Sequence, residues 1–277
     1  MTTDEPDAPL RIRLVLVHHG DPGRLAAVRD TVATVATALG AFGDVEVRNI
    51  GRQPSLRSLP PAKVAARRVR QWRLERRWAH HLGAGRRWFL SAGLLLVRLA
   101  ALSLPREQAK AGRRSFIELA LSSKHQLAWR AAAEDRVDVL VVLEDDARVR
   151  PDSDERIRTV LETAIRDSDL ARVYADLAGG ISTSLLRTER VSRRISDGLV
   201  ELSRPATNTT CAYLIGSTTI AALFDHVTLE PQSALLPADW LMNAAFIGNS
   251  DVRCLHTSPT ALDHGSFTGA VGSSIRI

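Results

Sequence analysis

The run VDVLVVLEDDARV, from Val137 to Val149, constrains this chain more than any other stretch. Val and Leu dominate its first half, and it stops at three consecutive acids, Glu144, Asp145 and Asp146. A continuous apolar run rich in β-branched residues predicts a strand buried on both faces of a parallel sheet. Open α/β sheets bind ligands beyond the carboxyl ends of their strands, where these carboxylates fall. Uncompensated negative charge there calls for a cation, and hard oxygen ligands favour Mg²⁺ or Mn²⁺ shared with substrate phosphates. The alternative is a solvated acidic turn after an ordinary strand.

The rest of the chain extends this α/β pattern. Ile12–Val17 predicts a first buried strand, 18–23 a Gly/Pro-rich turn, and Arg24–Leu39 a helix stopped by Gly40. A second strand follows at Val45–Ile50. This opening implies a right-handed crossover and a parallel sheet, with the loop after the first strand at the same edge as the acids. Its GDPG lacks the glycine pattern of a dinucleotide fingerprint. Further along, Asp154–Ile165 reads as a helix and Ala171–Leu177 as a strand, with Asp176 facing the site or capping a turn. Residues 182–205 are polar and read as a loop plus hairpin over the site, part of an acceptor pocket.

A chain of 277 residues can form one large domain with an ample core. Residues 1–9 read as a disordered lead-in with no apolar stretch of the kind found in signal peptides. Cys211 and Cys254 are too few for a disulfide framework and are expected to be reduced thiols in a cytosolic compartment.

The region from about 60 to 114 differs in kind. Between Lys63 and Arg114 there are 14 Lys/Arg and two Glu, a net +12, whereas the whole chain carries +6. The basicity therefore belongs to one insert, which also holds Trp72 and Trp78. Within it, WFLSAGLLLVRLAALSL (Trp88–Leu104) is apolar apart from Ser91, Arg98 and Ser103. An Arg near the middle of such a helix costs roughly 2.5 to 3.5 kcal/mol on membrane insertion, which argues against a true span. Two readings stay open for this segment: a helix lying in a membrane interface, or a buried helix packed on the sheet. For the Arg-rich stretch before it an anionic membrane surface is the expected partner. Nucleic acid ranks last, because no helix-turn-helix, zinc or RNP pattern is present.

The acidic strand and its neighbours carry a resemblance. SSKHQLAW (Ser122–Trp129) precedes the LEDD strand, TTCAYLIGSTTIAALF (Thr209–Phe224) follows as an aromatic strand-to-helix segment, and LPADWLMN (Leu236–Asn243) comes after that. In order and approximate spacing this set resembles the family 25 glycosyltransferases, the lipooligosaccharide and collagen galactosyltransferase type, over roughly residues 115–245. One departure is Lys124, which stands between Ser123 and His125 where the family usually places Ser directly before His.

The resemblance implies a single GT-A-like α/β domain with a central, mostly parallel sheet plus the basic helical insert. It also implies transfer of a sugar from a nucleotide sugar, of the UDP-sugar type, to a hydroxyl of a cell-envelope glycan or glycolipid, with inversion. By analogy, Asp146 would hold Mn²⁺ or Mg²⁺ with Glu144 or Asp145 assisting. Asp21 and Arg24 would help to hold the nucleotide, although a turn residue and a helix-surface Arg are the plainer roles. Asp239 would be the general base, or else a cap for the helix that follows, and Trp240 would stack on a sugar or sit in the core. The polar carboxyl-terminal arm starting at His256 would return His264, with His256 as second choice, to the metal, and Ser273, Ser274 and Arg276 to the donor phosphates. The enzyme would work on the cytoplasmic face of the plasma membrane. The rival readings are another metal-dependent phosphoryl or nucleotidyl transferase, and a non-catalytic peripheral membrane or nucleic-acid-binding protein.

Overall fold

The computed structural model describes residues 8–51, 57–81, 88–167, 169–187, 192–249 and 251–269. Strand β1 (Leu10–His18), helix α1 (Pro22–Leu39) and strand β2 (Gly43–Gly51) form the expected opening, with β1 and β2 parallel. Helices α2 (Pro61–His81), α3 (Trp88–Ala100) and α4 (Pro105–Glu134) follow, and then β3 (Val139–Glu144), which also runs parallel to β1. Next come β4 (Ala147–Val149), α5 (Ser153–Arg166), β5 (Val173–Asp176), α6 (Thr183–Leu186), β6 (Ser192–Ser196) and β7 (Leu199–Leu202). The chain continues with β8 (Ala212–Gly216), α7 (Ser217–Leu229), α8 (Ala238–Ile247), β9 (Arg253–Thr257), β10 (Leu262–His264) and α9 (Gly265–Thr268).

Among the described residues, eight strands make one sheet in the order β2-β1-β3-β8-β5-β9-β7-β6, and β10 pairs with β4 in a separate ribbon. The sheet is mixed. It is parallel through β2-β1-β3 and at β5-β9, while β8 runs antiparallel between β3 and β5 and β7 runs antiparallel to β9.

Both faces of β3 are covered, which explains why its sequence is apolar without alternation. Leu140 and Val142 join the core under α4, α7 and α8, alongside Trp129, Ile220 and Phe246. Val139, Val141 and Leu143 point the other way, into a second core with Val28 and Val35 of α1 and Ile157 and Leu161 of α5. The sheet edge that carries Glu144 therefore projects from a rigid two-sided core.

Several expectations change. The last helix of the basic insert, α4, runs unbroken past residue 114 into the SSKHQLAW segment. Helix α3 packs on α2 rather than on the sheet and leaves Leu94, Leu96 and Val97 exposed. The β6–β7 hairpin forms the far edge of the sheet beyond β9, so it does not roof the acids as expected. Of the expected lead-in, residues 1–7 lie outside the described residues, and β1 begins at Leu10. Among the described residues no helix is long and apolar enough to cross a membrane.

Candidate active site

Each of the three acids at the end of β3 meets different partners. Asp145 accepts from the backbone N–H of His19 at 3.0 Å and pairs with Arg24 at 2.7 Å. Arg24 lies 3.6 Å from Asp146 as well, so its guanidinium bridges the two carboxylates. The loop after β1 delivers both contacts, and the α1 cap sets its shape. There Asp21 accepts from the Arg24 N–H at 2.8 Å. Asp21 thus caps the helix and is not among the residues lining the cavity described below, whereas Arg24 is.

Glu144 turns away from its neighbours. It accepts from Thr210 Oγ1 at 2.6 Å and lies 3.3 Å from His125 Nε2. The proton arrangement follows from Glu144, which as a carboxylate can only accept. Trp129 Nε1 can only donate, and it donates to the Tyr213 hydroxyl at 2.8 Å. His125 Nε2–H therefore donates to Glu144, and in the neutral ring Nδ1 accepts from the Tyr213 hydroxyl 2.9 Å away. Residues 125 and 129 sit one helical turn apart on α4, so both reach the same hydroxyl. Burial alone would raise the Glu144 carboxyl, but His125 and Thr210 hold it down at about 2. Glu144 is therefore a fixed anion whose Oε1 takes both contacts, while the residue also lines the cavity described below.

The β10–β4 ribbon completes the acid end. His264 pairs with Ala147, and the Gly265 N–H donates to the Asp146 carbonyl at 2.8 Å. This register sets His264 Nδ1 3.4 Å from Asp146 Oδ2 and brings the Ser266 hydroxyl onto the same carboxylate. Cys211 donates to Asp146 Oδ1 from the other side at 3.5 Å. Donor atoms of Asp146, Cys211 and His264 lie within 4.8 Å of one another. Burial, followed by the nearby Asp146 and Glu144 charges, pushes the Cys211 thiol well up, so it remains protonated. Asp146 and His264 are left as an oxygen and a nitrogen ligand, a set that fits Mn²⁺ better than the oxygen-preferring Mg²⁺.

The acid cluster carries less uncompensated charge than its sequence suggests. Besides Arg24, the buried Lys124 lies against it, donating to the His18 carbonyl at 2.6 Å. Burial lowers the Lys124 pKa, with Asp145 and Glu144 pulling the other way.

A cavity of about 660 Å³ opens over these groups, and Asp239 lines it too. Pro237 takes the cap position of α8, which leaves Asp239 in the first turn with its carboxylate in the cavity. Burial, helped by the Glu118 and Glu144 charges, raises Asp239 to about 6. A carboxylate tuned near neutrality suits proton abstraction. Trp240 belongs to the core, packed edge-on against Trp78 with centroids 5.5 Å apart, and only its margin meets the cavity.

The opposite wall was not anticipated. Arg67, Arg68, Arg98 and Arg114, from α2, α3 and α4, all line the same cavity. Part of the basic region thus turns inward instead of forming only an outer charged surface. Asp176, by contrast, caps a turn: it accepts from the N–H groups of Ala178, Gly179 and Gly180 at 3.0, 2.7 and 2.9 Å. Gly179 there adopts φ 74°, a conformation glycine accepts without strain. His256, the second-choice ligand, points at Asp176 (3.5 Å) and the Cys254 sulfur (3.4 Å), not at the acid cluster. Ser273, Ser274 and Arg276 lie outside the described residues.

Comparison with known proteins finds no matching family model and no curated relative.

Proposed function

We propose that this chain is a metal-dependent glycosyltransferase that moves a sugar from a nucleotide-sugar donor to an acceptor hydroxyl. One juxtaposition supports the reading: a single cavity joins the Asp146–His264 pair and Arg24 to Asp239, a carboxylate raised to about 6. The resemblance of the LEDD, Ser-Lys-His and Pro-Ala-Asp-Trp segments to family 25 glycosyltransferases points the same way.

In this mechanism Arg24 and His264 bind the donor diphosphate end. Asp146 and His264 would hold Mn²⁺, which supplies neutralisation of the charge on the leaving nucleoside diphosphate. Asp239 orients the acceptor hydroxyl and takes its proton as the new bond from oxygen to the anomeric carbon forms. The bond from that carbon to the diphosphate oxygen breaks on the opposite side, and the nucleoside diphosphate leaves with the electron pair. The bonds of Glu144 Oε1 to His125 and Thr210 fix the strand end that aims Asp145 and Asp146.

The acceptor is proposed to be a glycan or glycolipid of the cell envelope, reached from the cytoplasmic face. The exposed Leu94, Leu96 and Val97 on an arginine-rich helical region support peripheral attachment to an anionic bilayer. The test is a product assay by mass spectrometry, with nucleotide sugars and a mixed envelope glycolipid extract. Asp239→Asn should keep donor binding and lose transfer, whereas Asp146→Asn should lose both. Full transfer by Asp239→Asn would remove the proposed base.

A further inference from the structure

The arginine wall has an arrangement that the proposed chemistry at the acid end leaves unused. Arg67 is only 5% exposed. Its Nε donates to the Leu235 carbonyl at 2.7 Å and its Nη1 to Glu118 at 2.6 Å, fixing the plane of the guanidinium. The remaining Nη2 is buried and has no hydrogen-bond partner among the described residues, in a side chain that lines the cavity. A buried donor left unsatisfied is unfavourable and points to a group that arrives from outside.

The surroundings are strongly positive. Arg114 shares Glu118 with Arg67 at 2.9 Å, and Arg68 donates to the Arg98 carbonyl, which draws these side chains together on one wall. Burial lowers the Arg68 pKa, and the adjacent Arg98 and Arg114 charges lower it further. Glu118 balances one of the four guanidiniums. The other acid on this wall, Glu75, is raised toward its neutral form by burial. Several like charges with one empty buried donor suit a multiply charged anion with oxygens in a fork, which is the chemistry of a phosphate.

We propose that Arg67, Arg68, Arg98 and Arg114 form a phosphate seat, and that the phosphate belongs to the acceptor. The assignment to the acceptor rests on the transferase reading; the seat itself does not. Position favours the acceptor over the donor. Asp239 lines the cavity together with Glu118 of the arginine wall and Glu144 of the acid end, and the donor diphosphate is already assigned to the acid end. A hydroxyl at Asp239 would leave the rest of the acceptor on the arginine side, and the donor diphosphate at Arg24 and His264. The substrate class this selects is a phosphate-bearing sugar or lipid-linked sugar, with its hydroxyl a short distance from its phosphate.

The test titrates the full-length chain, in EDTA, with inorganic phosphate and pyrophosphate by calorimetry. The Arg68→Gln/Arg98→Gln pair should weaken binding at least tenfold, and Arg67→Gln should do the same if it folds. Unaltered affinity in the Arg68/Arg98 variant, or no binding by the wild type, overturns the seat. Vesicles of phosphatidylcholine with and without phosphatidylglycerol separate the two sources of phosphate. The seat predicts that the Arg68/Arg98 variant still binds the anionic vesicles; loss of vesicle binding with phosphate binding intact would assign these arginines to the bilayer and overturn it. If no nucleotide sugar binds but the arginine variants still lose phosphate, the transferase reading fails and the anion seat stands.

Discussion

His264 Nδ1 lies 3.4 Å from Asp146 Oδ2, and the antiparallel pairing of β10 with β4 sets that distance. The acid between β3 and β4 thus receives its nitrogen partner from a strand more than a hundred residues later. If this pair holds the cation, His264→Ala and Asp146→Asn should each abolish Mn²⁺-dependent binding of a nucleotide, measured by calorimetry. Cys211 and Ser266 still contact residue 146, so Asp146→Asn should fold. Retention of Mn²⁺-dependent affinity in both variants would remove the pair from the metal site.

Asp239 sets the pH dependence. Its carboxyl is raised from 3.8 to about 6, so between those values the folded chain binds more protons than the unfolded one. Stability from this group therefore falls as pH rises through that window. The full shift corresponds to at most about 3 kcal/mol, and less because the side chain is partly open to the cavity. Asp239→Asn should raise Tm at pH 7.5 by a few degrees, while wild-type kcat/KM should show an acid limb near pH 6. A pH-independent rate between pH 5 and 7.5 would contradict the assignment.

Glu144 behaves in the opposite sense. Its carboxyl is depressed from 4.5 to about 2, so its contribution is present above pH 4.5 and fades as pH drops toward 2. The Trp129–Tyr213–His125 chain maintains that state. Tyr213→Phe would strand the Trp129 N–H and the His125 Nδ1 in the core, at a cost of about 1–3 kcal/mol. Thermal unfolding should show Tm lower by several degrees, at roughly 2–4 °C per kcal/mol. An unchanged Tm would mean that the chain does not support the strand end.

Leu96 and Val97, at 67% and 66% exposure, should mediate attachment to membranes. The double change Leu96→Asp/Val97→Asp is expected to reduce sedimentation with phosphatidylglycerol vesicles several-fold and to leave Tm within a degree. Equal sedimentation of both proteins would free α3 from that role.

The parts of the fold that were legible in the sequence are those set by local pattern. β1 and β3 show directly as apolar runs because both sheet faces are covered there, α1 shows as helical periodicity, and the edge strand β2 shows as a short alternating run although it is mostly exposed. Asp146, Arg24 and Asp239 were legible as candidates, and the structure brings them to one cavity. What sequence did not reveal depends on long-range pairing. The β8 strand that supplies Tyr213 beside His125 runs antiparallel to β3, and nothing local in its residues states that direction. Cys211 and Thr210 reach the acids only through that pairing. The arginine wall was hidden because charge counting cannot tell an outward face from an inward one. A signal for the His125–Trp129 pair did exist, in their spacing of four residues inside the Ser-Lys-His segment.

The most direct measurement is thermal unfolding of the wild type and Asp146→Asn against a panel of nucleotide sugars, with Mn²⁺, with Mg²⁺ and with EDTA. A specific donor at a hundred times its Kd adds about 2.7 kcal/mol of stability. One nucleotide sugar should stabilise the wild type in Mn²⁺, lose that effect in EDTA, and have no effect on Asp146→Asn. Silence across the panel in both proteins, or equal stabilisation of both, would contradict a metal-dependent glycosyltransferase site at Asp146.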